Sequence, residues 1–169
     1  GRKFLGLQGQ LWSENTRSDA LAEHKIFPRL LALAERAWHL PHWAVPYNYQ
    51  GFKYSRETRM FDDKRRQARD RDWALFAATL GYKEFAKLEH FDISYRLPTV
   101  GAKIDNGHLL ANIAFPGLDI EYKLAGKSWQ PYTGPVDLNG LTAGLAAGDV
   151  QVRSISKNGQ RRGRATSVR

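Results

Sequence analysis

The chain has 169 residues, 42% of them hydrophobic, which suits one packed domain or two small ones and is too many for general disorder. With no cysteine, disulfides, thiolate metal sites and thiol nucleophiles are excluded together. A formal net charge of +9 brings nucleic acid into consideration, while no apolar run approaches the roughly 20 residues that cross a bilayer.

The first stretch reads as a short strand. Phe4-Leu5-Gly6-Leu7 is apolar and punctuated by glycine, and Gly9-Gln10-Leu11-Trp12-Ser13-Glu14 comes next. Residues two apart on an extended segment project to the same side, so Trp12 and Glu14 can line one hollow. An indole stacks on the apolar C–H face of a sugar, and a carboxylate accepts hydrogen bonds from its hydroxyls. The alternative is a buried Trp at a strand end with a capping Glu beside it. A helix is expected from Ser18, interrupted at Pro28 and resumed with Leu30, Leu31, Ala34 and Trp38 on one face. Pro28 fits a first helical turn, where its missing N–H costs nothing. A strand, a Trp-x-Glu at its carboxyl end and then a helix is how a β/α-barrel presents a functional residue.

The segment from His39 to Gly51 holds two prolines and several aromatics and reads as a packed connection. His39 and His42 have metal-ligand spacing, but no third ligand stands near them, so a surface or core-satisfied pair is expected and no metal site. A second helical region begins near Phe61. Asp62, Asp63, Asp70 and Asp72 interleave with Lys64, Arg65, Arg66, Arg69 and Arg71, the pattern of a salt-bridged, solvated face. Trp73, Phe76, Ala77 and Leu80 then form an i, i+3, i+4, i+7 stripe, with Gly81 as the expected terminator. Tyr82, Phe85 and Leu88 mark a further short helix.

From Tyr95 onward the period changes to two. Leu109, Ala111, Ile113 and Phe115 alternate with Leu110, Asn112 and Ala114, and Ile120, Tyr122 and Leu124 repeat the pattern. Turn signals at Asn106-Gly107, Pro116-Gly117, Ala125-Gly126, Asn139-Gly140 and Asn158-Gly159 separate the runs. Val150 and Val152 make a last strand, with Ile155 suggesting a change of phase or a bulge. The result is a small antiparallel sandwich. The segment Val136–Gly148 is flexible-looking and fits no strand. Trp129 is expected to plug the sandwich core, the alternative being an exposed carbohydrate-binding face shared with Tyr132. Arg161-Arg162-Gly163-Arg164 is basic, but no nucleic-acid motif accompanies it, and a nucleic-acid partner is not expected.

Two long, ordered blocks carry a specific resemblance: Gly9-Gln10-Leu11-Trp12-Ser13-Glu14, and Phe27-Pro28-Arg29-Leu30-Leu31-Ala32-Leu33-Ala34-Glu35-Arg36-Ala37-Trp38. They resemble the last strand and helix of the barrel in family-20 glycoside hydrolases, the β-N-acetylhexosaminidases, in their chitobiase-like branch. Tyr95-Arg96-Leu97-Pro98, Gly101-Ala102-Lys103-Ile104, Phe115-Pro116-Gly117 and the run from Tyr122 to Trp129 resemble that branch's C-terminal immunoglobulin-like domain. The resemblance implies an α+β chain: residues 1–92 the last strand and helices of a (β/α)8 barrel, residues 93–169 an immunoglobulin-like antiparallel β-sandwich. It implies that Trp12 walls the terminal N-acetylhexosamine and that Glu14 binds that sugar's outer hydroxyls. Neither is the acid that cleaves the bond. In the family an adjacent Asp-Glu pair does that work, the substrate's own acetamido group serving as nucleophile. No adjacent Asp-Glu occurs in this chain, and Asp62-Asp63 opens a charged helix.

No catalytic residue and no cofactor are therefore expected here, and the isolated chain is expected to be inert. The expected partners are an N-acetylhexosamine-containing oligosaccharide and the remainder of the barrel or a second copy of the chain, with no membrane span. Residues 1 to about 15, as a lone strand with unpaired edges, should be irregular, paired with another copy or covered by the helices. For the bacterial parent protein the resemblance implies a periplasmic, cell-envelope or secreted location. A non-catalytic carbohydrate-binding or structural sandwich module is the alternative.

Overall fold

The computed structural model describes residues 5–12, 14–45, 62–140 and 148–168. The chain divides into two compact units, Gly1–Phe76 and Ala77–Arg169.

In the first unit α1 spans Asp19–Ile26 and α2 spans Arg29–Trp38. Ser18 caps α1, its Oγ accepting the Leu21 N–H at 3.3 Å. Asp19 in the first turn and His24 and Lys25 in the last complement the helix dipole. Pro28 stands immediately before α2, as its missing donor requires. Among the described residues of the expected strand, 5–12 carry no regular structure and lie exposed, the irregular one of the three cases expected for it. A strand needs neighbours for its N–H and C=O groups, and no described residue pairs with this one. Its backbone does approach α2, since a Cβ at Gly9 would lie 2.9 Å from Leu33 Cδ2. Leu31 and Leu33 are half-buried, but Leu30 and Trp38 of the expected apolar face lie exposed. Neither helix fully buries any residue.

Helix α3 spans Asp63–Thr79; Phe61, the expected start, lies outside the described residues. Asp62 accepts the Arg65 N–H at 2.7 Å, so the acidic pair starts the helix. The interleaved charges pair as expected, Arg66 with Asp63 at 2.7 Å and Arg69 with Asp70 at 2.8 Å. Gly81 does not end the helical chain. A wider turn, Leu80–Glu84, carries it into α4, Phe85–His90. Gly81 is buried against the Pro116 carbonyl, which occupies the place of a Cβ. Glycine is needed there for close approach rather than for termination. Phe85 stacks on Tyr95 at 4.8 Å and meets Phe115 edge-on at 5.5 Å, fixing α4 to the sheet-forming part of its unit.

The rest of the second unit is two antiparallel sheets. Its strands are β1 Gly101–Asp105, β2 His108–Asn112, β3 Asp119–Leu124, β4 Gln130–Pro131, β5 Val136–Asp137, β6 Val150–Ile155 and β7 Thr166–Ser167. One sheet runs β1-β2-β5 and the other β4-β3-β6-β7. Asn106 and Gly107, both at positive φ, make the two-residue turn between β1 and β2. Leu109, Ile120, Leu138, Val150 and Val152 meet in the core, with Tyr122 and Leu124 packed beside them, so the period-two reading of β2, β3 and β6 holds.

Within the two sheets the structure corrects three expectations. Ile155 marks no bulge, because β6 pairs with β3 without interruption from Val150 to Ile155. The inward positions simply continue as Ser154 and Ser156, whose hydroxyls donate to Pro98 O at 2.6 Å and Asn158 Oδ1 at 2.7 Å. Val136 does lie in a strand, paired with Leu109, and Leu138 is fully buried, so this part of the segment is core; residues 141–147 lie outside the described residues. Trp129 does not plug the core. It is half-buried, with the Arg153 guanidinium 4.0 Å above its ring and Lys123 Nζ at 5.5 Å. Arg153 and Lys123 alternate along their strands with the core residues, so Trp129 covers the sheet's outer side. Tyr132 is the ring that packs on the core, accepting the Ala111 N–H at 2.9 Å.

Candidate sugar-binding residues

Trp12 closes the irregular segment 5–12 and Glu14 stands in the turn just after it. Ser13 between them lies outside the described residues. The indole is 88% exposed, and Glu14 is exposed too. In this chain the Trp12 ring stands open to solvent. The chemistry available is stacking from the indole and hydrogen-bond acceptance from the carboxylate.

Sequence reasoning missed a second cluster in the same unit. Asp72 of α3 binds two groups from the segment after α2. Its Oδ2 accepts the Trp43 indole N–H at 2.7 Å and lies 3.1 Å from His39 Nε2. The His39 hydrogen bond first, and the Trp43 hydrogen bond next, hold the Asp72 carboxyl below the usual carboxylate range. Arg36 lies over the Trp43 ring at 5.3 Å, a cation–π contact. Beside this cluster opens a cavity of about 350 Å³ walled by Trp43, Trp73 and Phe76. The signal was present as His39, His42 and Trp43, but the partner lies 33 residues from His39 and belongs to a run read as solvated. Among the described residues no group of three His, Asp or Glu side chains is placed to hold a metal.

The second basic cluster has a structural use. Arg161 donates to Ile93 O at 3.3 Å and Ser94 Oγ at 3.4 Å, and lies 5.1 Å over the Tyr95 ring. Tyr95 in turn donates to Glu89 at 2.6 Å. Burial first, then that hydrogen bond, pushes the Tyr95 phenol well above its ordinary range. No helix among the described residues is long and apolar enough to cross a membrane.

Comparison with known proteins bears on both units. Residues 1–41 match the family model of the glycosyl hydrolase family 20 catalytic domain, and residues 84–165 match that of the chitobiase/beta-hexosaminidase C-terminal domain. An N,N'-diacetylchitobiase of Vibrio harveyi is 40% identical over 168 residues, covering 99% of this chain and 18% of that protein. A beta-hexosaminidase of Vibrio vulnificus is 41% identical over 172 residues, covering 98% of this chain and 19% of that protein. A beta-hexosaminidase B of Pseudoalteromonas piscicida is 53% identical over 81 residues, 48% of this chain and 10% of that protein. The chain thus spans less than a fifth of the length of these curated relatives. Since both matches fall in chain order and the two Vibrio relatives align over nearly all of it, the chain belongs to glycosyl hydrolase family 20, in its chitobiase/beta-hexosaminidase group.

Proposed function

We propose that this chain is the C-terminal part of a β-N-acetylhexosaminidase that removes terminal N-acetylhexosamine from chitooligosaccharides by substrate-assisted retaining hydrolysis. Residues 1–92 are the end of its catalytic (β/α)8 barrel, and residues 93–169 are its immunoglobulin-like sandwich. Trp12 stacks on the terminal sugar and Glu14 accepts hydrogen bonds from its outer hydroxyls, a charge-assisted contact. The parent protein works in the periplasm, at the cell envelope or outside the cell.

The observation that carries the reading is the 40% identity to a diacetylchitobiase over 99% of the chain, spanning both units. The exposed Trp12 and the open apolar surface of Leu5, Trp38 and Leu40 support it, since the remainder of a barrel would cover that surface. The chain has no adjacent Asp-Glu pair, so it supplies part of the pocket wall and not the acid. Incubating the purified chain with a chromogenic N-acetylglucosaminide should give no turnover above buffer. Turnover would contradict the assignment of the acid elsewhere. In the parent enzyme, Trp12→Ala and Glu14→Gln should each lower kcat/KM at least tenfold; an unchanged value for both would remove them from the site.

A further inference from the structure

We propose that the cavity between α2, the segment after it and α3 is a second carbohydrate site, which takes one N-acetylhexosamine ring of a chitin-type oligosaccharide. It is separate from the site of Trp12 and Glu14. The choice of sugar rests on the proposed hexosaminidase activity; the existence of the site rests on the cavity's own chemistry.

A volume of about 350 Å³ lies at the small end for ligand sites, enough for one substituted pyranose ring. Trp73 and Phe76 meet at 6.0 Å with their planes tilted by 49°, giving two apolar walls at an angle. Trp43 gives a third wall, and its orientation is set before any ligand arrives. Asp72 holds its N–H at 2.7 Å, His39 holds Asp72 at 3.1 Å, and the Arg36 guanidinium lies over its ring. A wall fixed in advance loses little freedom on binding.

Several polar groups of the lining are spent on one another. Asp72 is taken up by Trp43 and His39, and Arg69 by Asp70 at 2.8 Å. The surface offered inside is therefore mainly aromatic and aliphatic. An N-acetylhexosamine meets such a surface with the C–H face of its ring and the methyl of its acetamido group. Glu35 and Arg36, which also line the cavity, offer polar groups for the sugar's hydroxyls. A simple ion is a poor match, because the lining carries three carboxylates against two guanidiniums and an imidazole.

The test is a titration of the chain with N,N'-diacetylchitobiose, monitored by the indole N–H resonances of its tryptophans. The resonances of Trp43 and Trp73 should move together and saturate. Ala32→Leu places a larger side chain on the α2 wall without removing any contact of the cluster, and should weaken this binding at least tenfold with helix content unchanged. Trp73→Ala should do the same. The de-acetylated dimer should bind at least tenfold more weakly, for want of the acetamido methyl. Movement at Trp12 alone would overturn the second site and leave the first intact. Capture of an apolar dye that chitobiose does not displace would show an apolar-ligand site and overturn the sugar assignment. So would binding that survives Ala32→Leu.

Discussion

The two units of this chain differ in whether they close their own hydrophobic surface. In residues 77–169, Leu109 and Leu138 are 0% exposed and Val150 and Val152 no more than 2%. In residues 1–76, α1 and α2 bury nothing fully, and Trp38 stands 92% exposed. The reason lies in architecture. Two sheets facing each other supply both sides of a core, so about ninety residues suffice. No strand stands among the described residues of the first unit, so α1 and α2 have no sheet there to pack on. Among the described residues, the sandwich strands meet the partner their alternation requires, and the apolar positions Leu30 and Trp38 of α2 do not.

That contrast can be broken by mutation. Leu109→Ala should cost about 2–5 kcal/mol in urea unfolding, the transfer and cavity cost of a fully buried leucine. Trp38→Ala, a larger truncation, should stay within about 0.5 kcal/mol because the ring is already in water. Equal losses at the two sites would show that the first unit has a core after all. Next in size, Gly81→Ala sets a methyl against the Pro116 carbonyl and should cost about 1–3 kcal/mol, read from the thermal midpoint. No loss would mean that Gly81 is a helix end, as its sequence position first suggests.

Tyr95 and Asp72 extend the comparison to pH. The Tyr95 phenol is raised in the folded state above its ordinary 10.0. Its contribution is therefore complete below about pH 10 and falls away as pH rises further. Tyr95→Phe should lose about 1 kcal/mol with the Glu89 hydrogen bond and should flatten that alkaline decline. The Asp72 carboxyl is lowered below its ordinary 3.8. Its contribution is present above that value and is lost as pH falls beneath it. Asp72→Asn should remove an acid-side loosening of α2 and α3, visible as indole emission of Trp43 below pH 4. This is the smallest effect, because the carboxylate is open to solvent and screened.

The sandwich was legible wherever a rule concerns neighbours in sequence. Alternation set β2, β3 and β6, and Asn106-Gly107 set the turn between β1 and β2. The capping of α1 by Ser18 and the charge pairing along α3 are equally local. What sequence could not supply were contacts across the fold. Ser154 and Ser156 look like surface residues until Pro98 O and Asn158 accept their protons. Gly81 looks like a terminator until the Pro116 carbonyl is seen against it. Trp129 looks like core until Arg153, joined to Glu121 at 2.7 Å, is found stacked on its outer-side ring. Spacing and resemblance marked Trp12 and Glu14 as candidates, while Asp72, 29 residues from Trp43, carried no local mark.

Hydrogen exchange on the native chain tests the contrast most directly. The amides of β3 and β6, paired along six residues with Ile120, Val150 and Val152 beneath them, should exchange only by global unfolding. Those of residues 5–12 should exchange at nearly the rate of an unfolded peptide. Comparable protection in the two segments would contradict the contrast between the closed core of residues 77–169 and the open segment 5–12.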